Sequence, residues 1–257
     1  MDAGPATIEF SELTTIETDG LLSGDRVPVL LLPVGTVEPH GPHAPLGTDV
    51  LLASEVCERT ARALADDETV RALVLPVIPY GVTRYAAAFR GAVSVSADTL
   101  TAFVVEACRS LVEDGFRQIA IVNCHFEPEH VMALRAVEAE FGGGGDGVRL
   151  FDLTRRALAS RLTDEFRRGS CHAGSYETSL VLSSRPELID VEAAAALPAV
   201  EVNMPAEMQS GRTDFIAMGM QHAYCGDPAA ATAAEGDETY AVLVGMLSEL
   251  VRSLVDE

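Results

Sequence analysis

Residues 27–49 read "VPVLLLPVGTVEPHGPHAPLGTD": an apolar run, then one glutamate, two histidines and one aspartate set among prolines and glycines. A short apolar run closed by glycine reads as a strand buried on both faces. The segment that follows, "VLLASEVCERTARALADD" (50–67), spaces its apolar residues three and four apart, as an amphipathic helix does. The same alternation recurs downstream. "VRALVLPVIPYG" (70–81) and "FRQIAIVN" (116–123) read as strands, and "TLTAFVVEACRSLVEDG" (99–115) and "PEHVMALRAVEAEFG" (128–142) as helices, the last opened by Pro128. Strand then helix, three times over, predicts an α/β fold with a mostly parallel sheet between helices. "GGGGDG" (142–147) predicts a flexible turn before a fourth strand, "VRLFDL", and an amphipathic helix from about Ala229 to Val255 closes the chain. Residues 197–227, rich in Met, Gly and Pro without a clear period, predict a long ordered loop or an arm near the site or a subunit contact. No repeat or linker divides the 257 residues, so a single domain is expected.

Composition narrows the function. With 18 basic and 39 acidic side chains the net charge is −21, which repels nucleic acid and anionic membrane surfaces. All the basic residues are arginine, and the absence of lysine removes Schiff-base chemistry and the P-loop lysine. The N-terminus lacks a secretory pattern and no apolar stretch reaches the roughly 18 residues of a membrane span, so a cytoplasmic location is expected. Five scattered cysteines do not make a disulfide framework and read as reduced thiols.

In an open α/β sheet, ligands lie beyond the carboxyl ends of the strands. Two polar clusters fall there: the stretch after the first strand, and "NCHFEPEH" (123–130) after the third. Glu38 and His40 are two apart in an extended loop, and so are His125 and Glu127, so each pair can present both side chains to one side. Asp49 lies where a helix begins, a place that favours a carboxylate. Two imidazoles and three carboxylates suit a pair of divalent ions such as Zn²⁺, Mn²⁺ or Fe²⁺. A plainer reading makes Pro39, Gly41 and Pro42 a tight turn with solvent-exposed histidines. Two further readings use the Cys124-His125 and Cys171-His172 pairs as a structural zinc site, or Cys124 as a nucleophile with a histidine base. His43, His130 and His222 stand alone and read as surface or packing residues, His43 and His222 being also candidates for lining the pocket.

"LPVGTVEPHGPHAPLGTD", "IVNCHFEPEH", "CHAGSYETS" (171–179) and "GDPAAATAAEG" (226–236) resemble, in order, the motifs of the creatininase (creatinine amidohydrolase) family. The resemblance covers nearly the whole chain and implies a three-layer α/β/α sandwich with a binuclear metal centre. It implies Glu38 and His125 on one ion, His40 and Glu127 on the other, and Asp49 between them. A water or hydroxide shared by the ions would attack a C–N amide bond, with His172 giving a proton to the leaving nitrogen and Glu177 a supporting or structural carboxylate, its contact with metal being the alternative. It also implies a symmetric homo-oligomer, a hexamer, and apolar residues such as Met204, Met208, Phe215, Ile216 and Met218 are expected to need cover from a partner.

The departures concern substrate. The chain has no Trp with which to close over a creatinine ring, Phe126 stands where creatinine-cleaving relatives have a tyrosine, and Arg90 stands where they have a proline. Arg84 and Arg90 therefore read either as recognition groups for an anionic substrate or as surface charges. The expected substrate is a small cyclic or linear amide; a peptide or formamide of a cofactor or natural-product pathway is the alternative within the class, and a metal-binding protein without catalysis is the alternative outside it.

Overall fold

The computed structural model of the chain describes residues 7–142 and 147–256. Among them, strands β1 (Val27–Val34), β2 (Val70–Val74), β3 (Gln118–Asn123) and β4 (Gly147–Phe151) form one parallel sheet in the order β2-β1-β3-β4. The helices are α1 (Thr15–Ser23), α2 (Thr48–Ala63), α3 (Ala97–Glu113), α4 (Pro128–Phe141), α5 (Arg156–Ala159), α6 (Asp164–Arg168), α7 (Ser175–Ser184), α8 (Val191–Ala196), α9 (Met204–Gln209) and α10 (Ala233–Asp256). Residues 143–146 of the expected glycine-rich turn lie outside the described residues.

Alternate side chains of each strand enter opposite cores. Val29 and Leu31 of β1 join Val56 of α2, Leu180 of α7 and Leu247 of α10; Leu30 and Leu32 join Val104 of α3 and Leu134 of α4. Burial on both faces is why the strands are continuous apolar runs rather than alternating ones. The result is the expected α/β/α sandwich.

The chain reverses its strand order between β1 and β3. The helix after β1 lies on one face and the helix after β3 on the other, which opens a crevice at the carboxyl ends of these two neighbours. Val34 and Asn123 pair in register at the last position of each strand, so the two polar loops start level with one another. Gly35 lets the loop turn tightly: a Cβ there would sit 2.6 Å from the Val50 amide at the start of α2.

Two expectations change. Strand β2 ends at Val74 rather than at 81, because Pro76 and Pro79 have no N–H to give a ladder. Among the described residues the chain beyond makes only the isolated bridges Val34–Ile78 and Gly81–Ser94, and so delivers residues 82–85 to the crevice. The 197–227 segment also covers much of its own apolar surface: Phe215, Met218 and Met220 are buried with Ala86 and Cys225 in a third, smaller core, and Ile216 is the large hydrophobic left exposed there. Phe215 and Met218 therefore need no partner subunit to cover them. No helix among the described residues is long and apolar enough to cross a membrane.

Helices α7 and α10 cross closely at Gly236, where an added Cβ would fall 2.0 Å from the Ser179 carbonyl oxygen. A backbone atom cannot swing aside, so Gly236→Val is expected to destabilise the fold by about 1–3 kcal/mol through overpacking. Urea unfolding should show this as a lower midpoint with an unchanged slope.

Candidate metal centre

Glu38 and His40 follow β1, Asp49 is in the first turn of α2, His125 follows β3, and Glu177 is in the first turn of α7. All five are buried. Among the described residues their ligand atoms form two groups, Glu38–Asp49–His125 and His40–Asp49–Glu177, and a third with His172, Glu38–His40–His172, each with its atoms within 4.8 Å of one another. Asp49 belongs to the first two. Its Oδ1 lies 3.1 Å from His40 Nε2 and its Oδ2 3.1 Å from His125 Nδ1, while Thr36 donates to Oδ2 at 2.6 Å.

Backbone carbonyls decide which ring nitrogens face inward. His40 Nδ1–H donates to the Glu38 carbonyl at 3.0 Å, which leaves Nε2 for the cluster. His125 Nε2–H donates to the Val82 carbonyl at 2.9 Å, which leaves Nδ1 facing Glu38 Oε1 at 3.2 Å. In the neutral rings, lone pairs thus meet carboxylate oxygens, and a positive charge must sit on or between them. Burial opposes charging His40, yet the carboxylates of Asp49, Glu177 and Glu38 outweigh it and raise its pKa to about 10. Glu177 is pushed up to about 8, first by burial and then, against the pull of His40, by the nearby Asp49 carboxylate. Glu38 Oε1 is buried without a hydrogen-bond partner. A cluster of acceptors with this potential, built from nitrogen and oxygen and without thiolate, fits divalent ions of the Zn²⁺, Mn²⁺ or Fe²⁺ kind.

Glu127 does not stand beside His40 and Asp49, where the resemblance put it; Glu177 does, with Oε2 3.5 Å from His40 Nε2. The Glu127 carboxylate turns toward residues 82–85, and its Oε2 accepts from the backbone amides of Arg84 at 2.8 Å and Tyr85 at 3.1 Å. Its Oε1 is buried without a partner, and burial raises its pKa to about 6 against the opposing charge of His125. Glu177 is held by the amide of Ala173 at 2.7 Å, a residue in the left-handed region at φ 52°.

His172 packs its ring against His40 and Phe215 and donates Nε2–H to the Pro39 carbonyl at 3.0 Å. Its Nδ1 then carries a lone pair, 3.7 Å from Glu38 Oε1, so in this state the ring takes a proton before it can give one. Burial and the adjacent His40 hold its pKa down at about 4. His43 lies behind the cluster with Nε2 3.0 Å from the Thr178 hydroxyl, and His222 is exposed. Thr83, which donates to Glu38 Oε2, carried no signal in the sequence, whereas Thr36 lies two residues before Glu38 in the same extended segment.

A cavity of about 480 Å³ opens onto the cluster, walled by Phe126, Val131, Met132, Phe166, Met204, Met208 and Phe215. The expected anion-binding arginines are not part of it. Arg84 turns outward to pair with Glu129 at 3.0 Å, and Arg90 is exposed and away from the cavity wall. Among the described residues the cations that line the cavity are Arg135 and Arg167. Cys124 and Cys171 also reach the wall, but neither joins a metal-capable group among the described residues. Burial, followed by the carboxylates of Asp49 and Glu177, pushes the Cys124 thiol well above its usual pKa, which argues against a thiolate nucleophile.

The shared carboxylate gives distinct metal contents on dialysis against a weak chelator. Asp49→Asn is expected to empty both positions, Glu177→Gln chiefly the one beside His40, and Glu127→Gln neither, as read by elemental analysis of each protein.

A family model described as creatinine amidohydrolase matches residues 11–251. The mycofactocin precursor peptide peptidase of Mycobacterium tuberculosis (strain ATCC 25618 / H37Rv) is 32% identical over 222 residues, 84% of this chain and 82% of that protein. The creatinine amidohydrolase of Pseudomonas putida is 32% identical over 205 residues, 72% of this chain and 75% of its own length. A solved structure named "Creatininase Mn" superposes with a TM-score of 0.72 at 26% identity, covering 96% of this chain and 98% of that one. With the match running through both polar loops and the α7 segment that meet at the crevice, the chain belongs to the creatininase family of metal-dependent amidohydrolases, which act on carbon–nitrogen bonds.

Proposed function

We propose that the chain hydrolyses a linear, peptide-like amide, with two divalent ions held by Glu38, Asp49 and His125 and by His40, Asp49 and Glu177. The observation that carries this reading is the cavity beside the cluster: about 480 Å³ with a largely apolar wall, in the range of sites that take drug-sized ligands and roomy for a small flat ring. The longer match to a precursor peptide peptidase, 84% of this chain against 72% for the creatinine amidohydrolase at the same 32% identity, supports it. So does the lack of tryptophan, since a ring with few polar handles depends on aromatic stacking for much of its binding.

Ions bound at these residues would supply Lewis acidity toward the scissile carbonyl and toward water. The protein's own groups do the rest. Glu127, anchored through Oε2 and free at Oε1, has a pKa of about 6 and can take a proton from water and pass it to the departing nitrogen near neutral pH. His172, tied to Pro39, offers its Nδ1 lone pair beside Glu38 and walls the substrate on the Phe215 side. Arg135 is fixed through Nε and Nη2 to Asp152, at 2.9 and 2.7 Å, while among the described residues its Nη1 has only Met132 Sδ at 3.8 Å. That nitrogen suits an anionic group on the substrate, such as a peptide carboxylate.

Glu127→Gln is expected to lower kcat by ~10²–10⁴-fold with metal content unchanged. The metal-loaded protein should cleave short peptides and leave creatinine nearly untouched; creatinine turnover on the order of 10 per second with no peptide cleaved would overturn the reading. Arg135→Gln should raise KM for a free-acid peptide roughly tenfold or more, the scale of a hydrogen bond between charged groups, and raise it less for the C-terminal amide.

A further inference from the structure

His130 is fully buried on α4, directly behind His125, and none of the chemistry above uses it. The two rings meet edge to face, with centroids 4.8 Å apart and planes at 86°. Gly81 makes room for it: a Cβ at that position would lie 2.3 Å from the His130 ring.

The hydrogen bonds around this pair admit one assignment. The Val82 amide donates to His130 Nδ1 at 3.2 Å, so that nitrogen carries a lone pair. His130 Nε2 must then carry the proton, and it donates to Asn123 Oδ1 at 3.0 Å. The same Asn123 oxygen accepts from the His125 backbone amide at 3.1 Å, and Asn123 Nδ2 donates to the His125 carbonyl at 2.5 Å. On the other side, the Val82 peptide that His130 holds by its N–H receives His125 Nε2–H on its carbonyl. His130 thus grips His125 twice, at its backbone through Asn123 and at its ring through Val82.

We propose that His130 is a positioning residue for His125: through Val82 and Asn123 it fixes the tautomer and ring orientation that aim His125 Nδ1 at Glu38 and Asp49. The proposal rests on the reading of Glu38, Asp49 and His125 as a metal site. Partners that orient a ligating imidazole in this way are worth about 10–100-fold in metal affinity. Simple packing would require only a ring-sized side chain at 130. Orientation requires an acceptor facing Val82 and a donor facing Asn123.

Two variants separate these roles. His130→Phe keeps a ring and loses both hydrogen bonds, whereas His130→Gln offers an amide oxygen to Val82 and an amide N–H to Asn123. Manganese and zinc dissociation constants, measured by chelator competition on each purified protein, should show one of the two ions bound about 10–100-fold more weakly in His130→Phe and within about threefold of wild type in His130→Gln. Equal loss in both variants, or loss in neither, overturns the proposal. Wild-type protein that binds no ion overturns the metal reading and the proposal with it. Long-range ¹H–¹⁵N spectra of histidine-labelled, zinc-loaded wild type give a check that needs no variant to fold: His130 should appear as the neutral Nε2–H form and His125 with its proton on Nε2. A protonated Nδ1 on His130 would refute the assignment.

Discussion

The site depends on a single carboxylate with two neighbours. Asp49 lies at the amino-terminal turn of α2, under the positive end of that helix, and reaches His40 with one oxygen and His125 with the other. Because those histidines leave adjacent strands on either side of the switch point, Asp49 ties the two halves of the crevice together. Glu38 and Glu177 complete the two groups, and no arginine pairs with any of these three carboxylates among the described residues. The acidic charge must therefore be balanced by protons or cations at the imidazoles, and divalent ions are the cations we propose there.

Geometry around the cluster divides the labour among the remaining groups. Residues 82–85, freed from β2 by Pro76 and Pro79, contribute a carbonyl to His125, a hydroxyl to Glu38 and two amides to Glu127. One irregular segment thus holds a side chain from each polar loop, and Glu127, for which we propose the proton transfer. The apolar wall beyond it is drawn from α4, α6, α9 and Phe215, with Arg135 anchored beside it through Asp152.

Much of this was legible in the sequence because it is local. Apolar runs and three-and-four spacing located the strands and long helices, and the strand ends located Glu38, His40, Asp49 and His125. What the sequence hid are contacts across long separations. The two-apart spacing of His125 and Glu127 suggested a shared direction, but Glu127 sits at φ −59°, ψ 130° just before Pro128 and turns to amides 42 and 43 residues away. Glu177 looked like a supporting group because nothing in its neighbourhood reveals that α7 packs against α2 and α10, with its first turn at the crevice. Arg84 points away for the same kind of reason: its backbone serves the site while Glu129, on the outside of α4, draws its side chain outward.

Ala173 stores backbone strain beside the cluster. It holds a left-handed conformation at φ 52°, which for a residue with a Cβ costs roughly 1–2 kcal/mol and which glycine would adopt freely. That same conformation aims its amide at Glu177 Oε2. Glycine there would relieve the strain and also free the peptide to wander, loosening the carboxylate it orients. The position is one where the most stable chain and the best-ordered centre call for different residues, and the alanine sides with order.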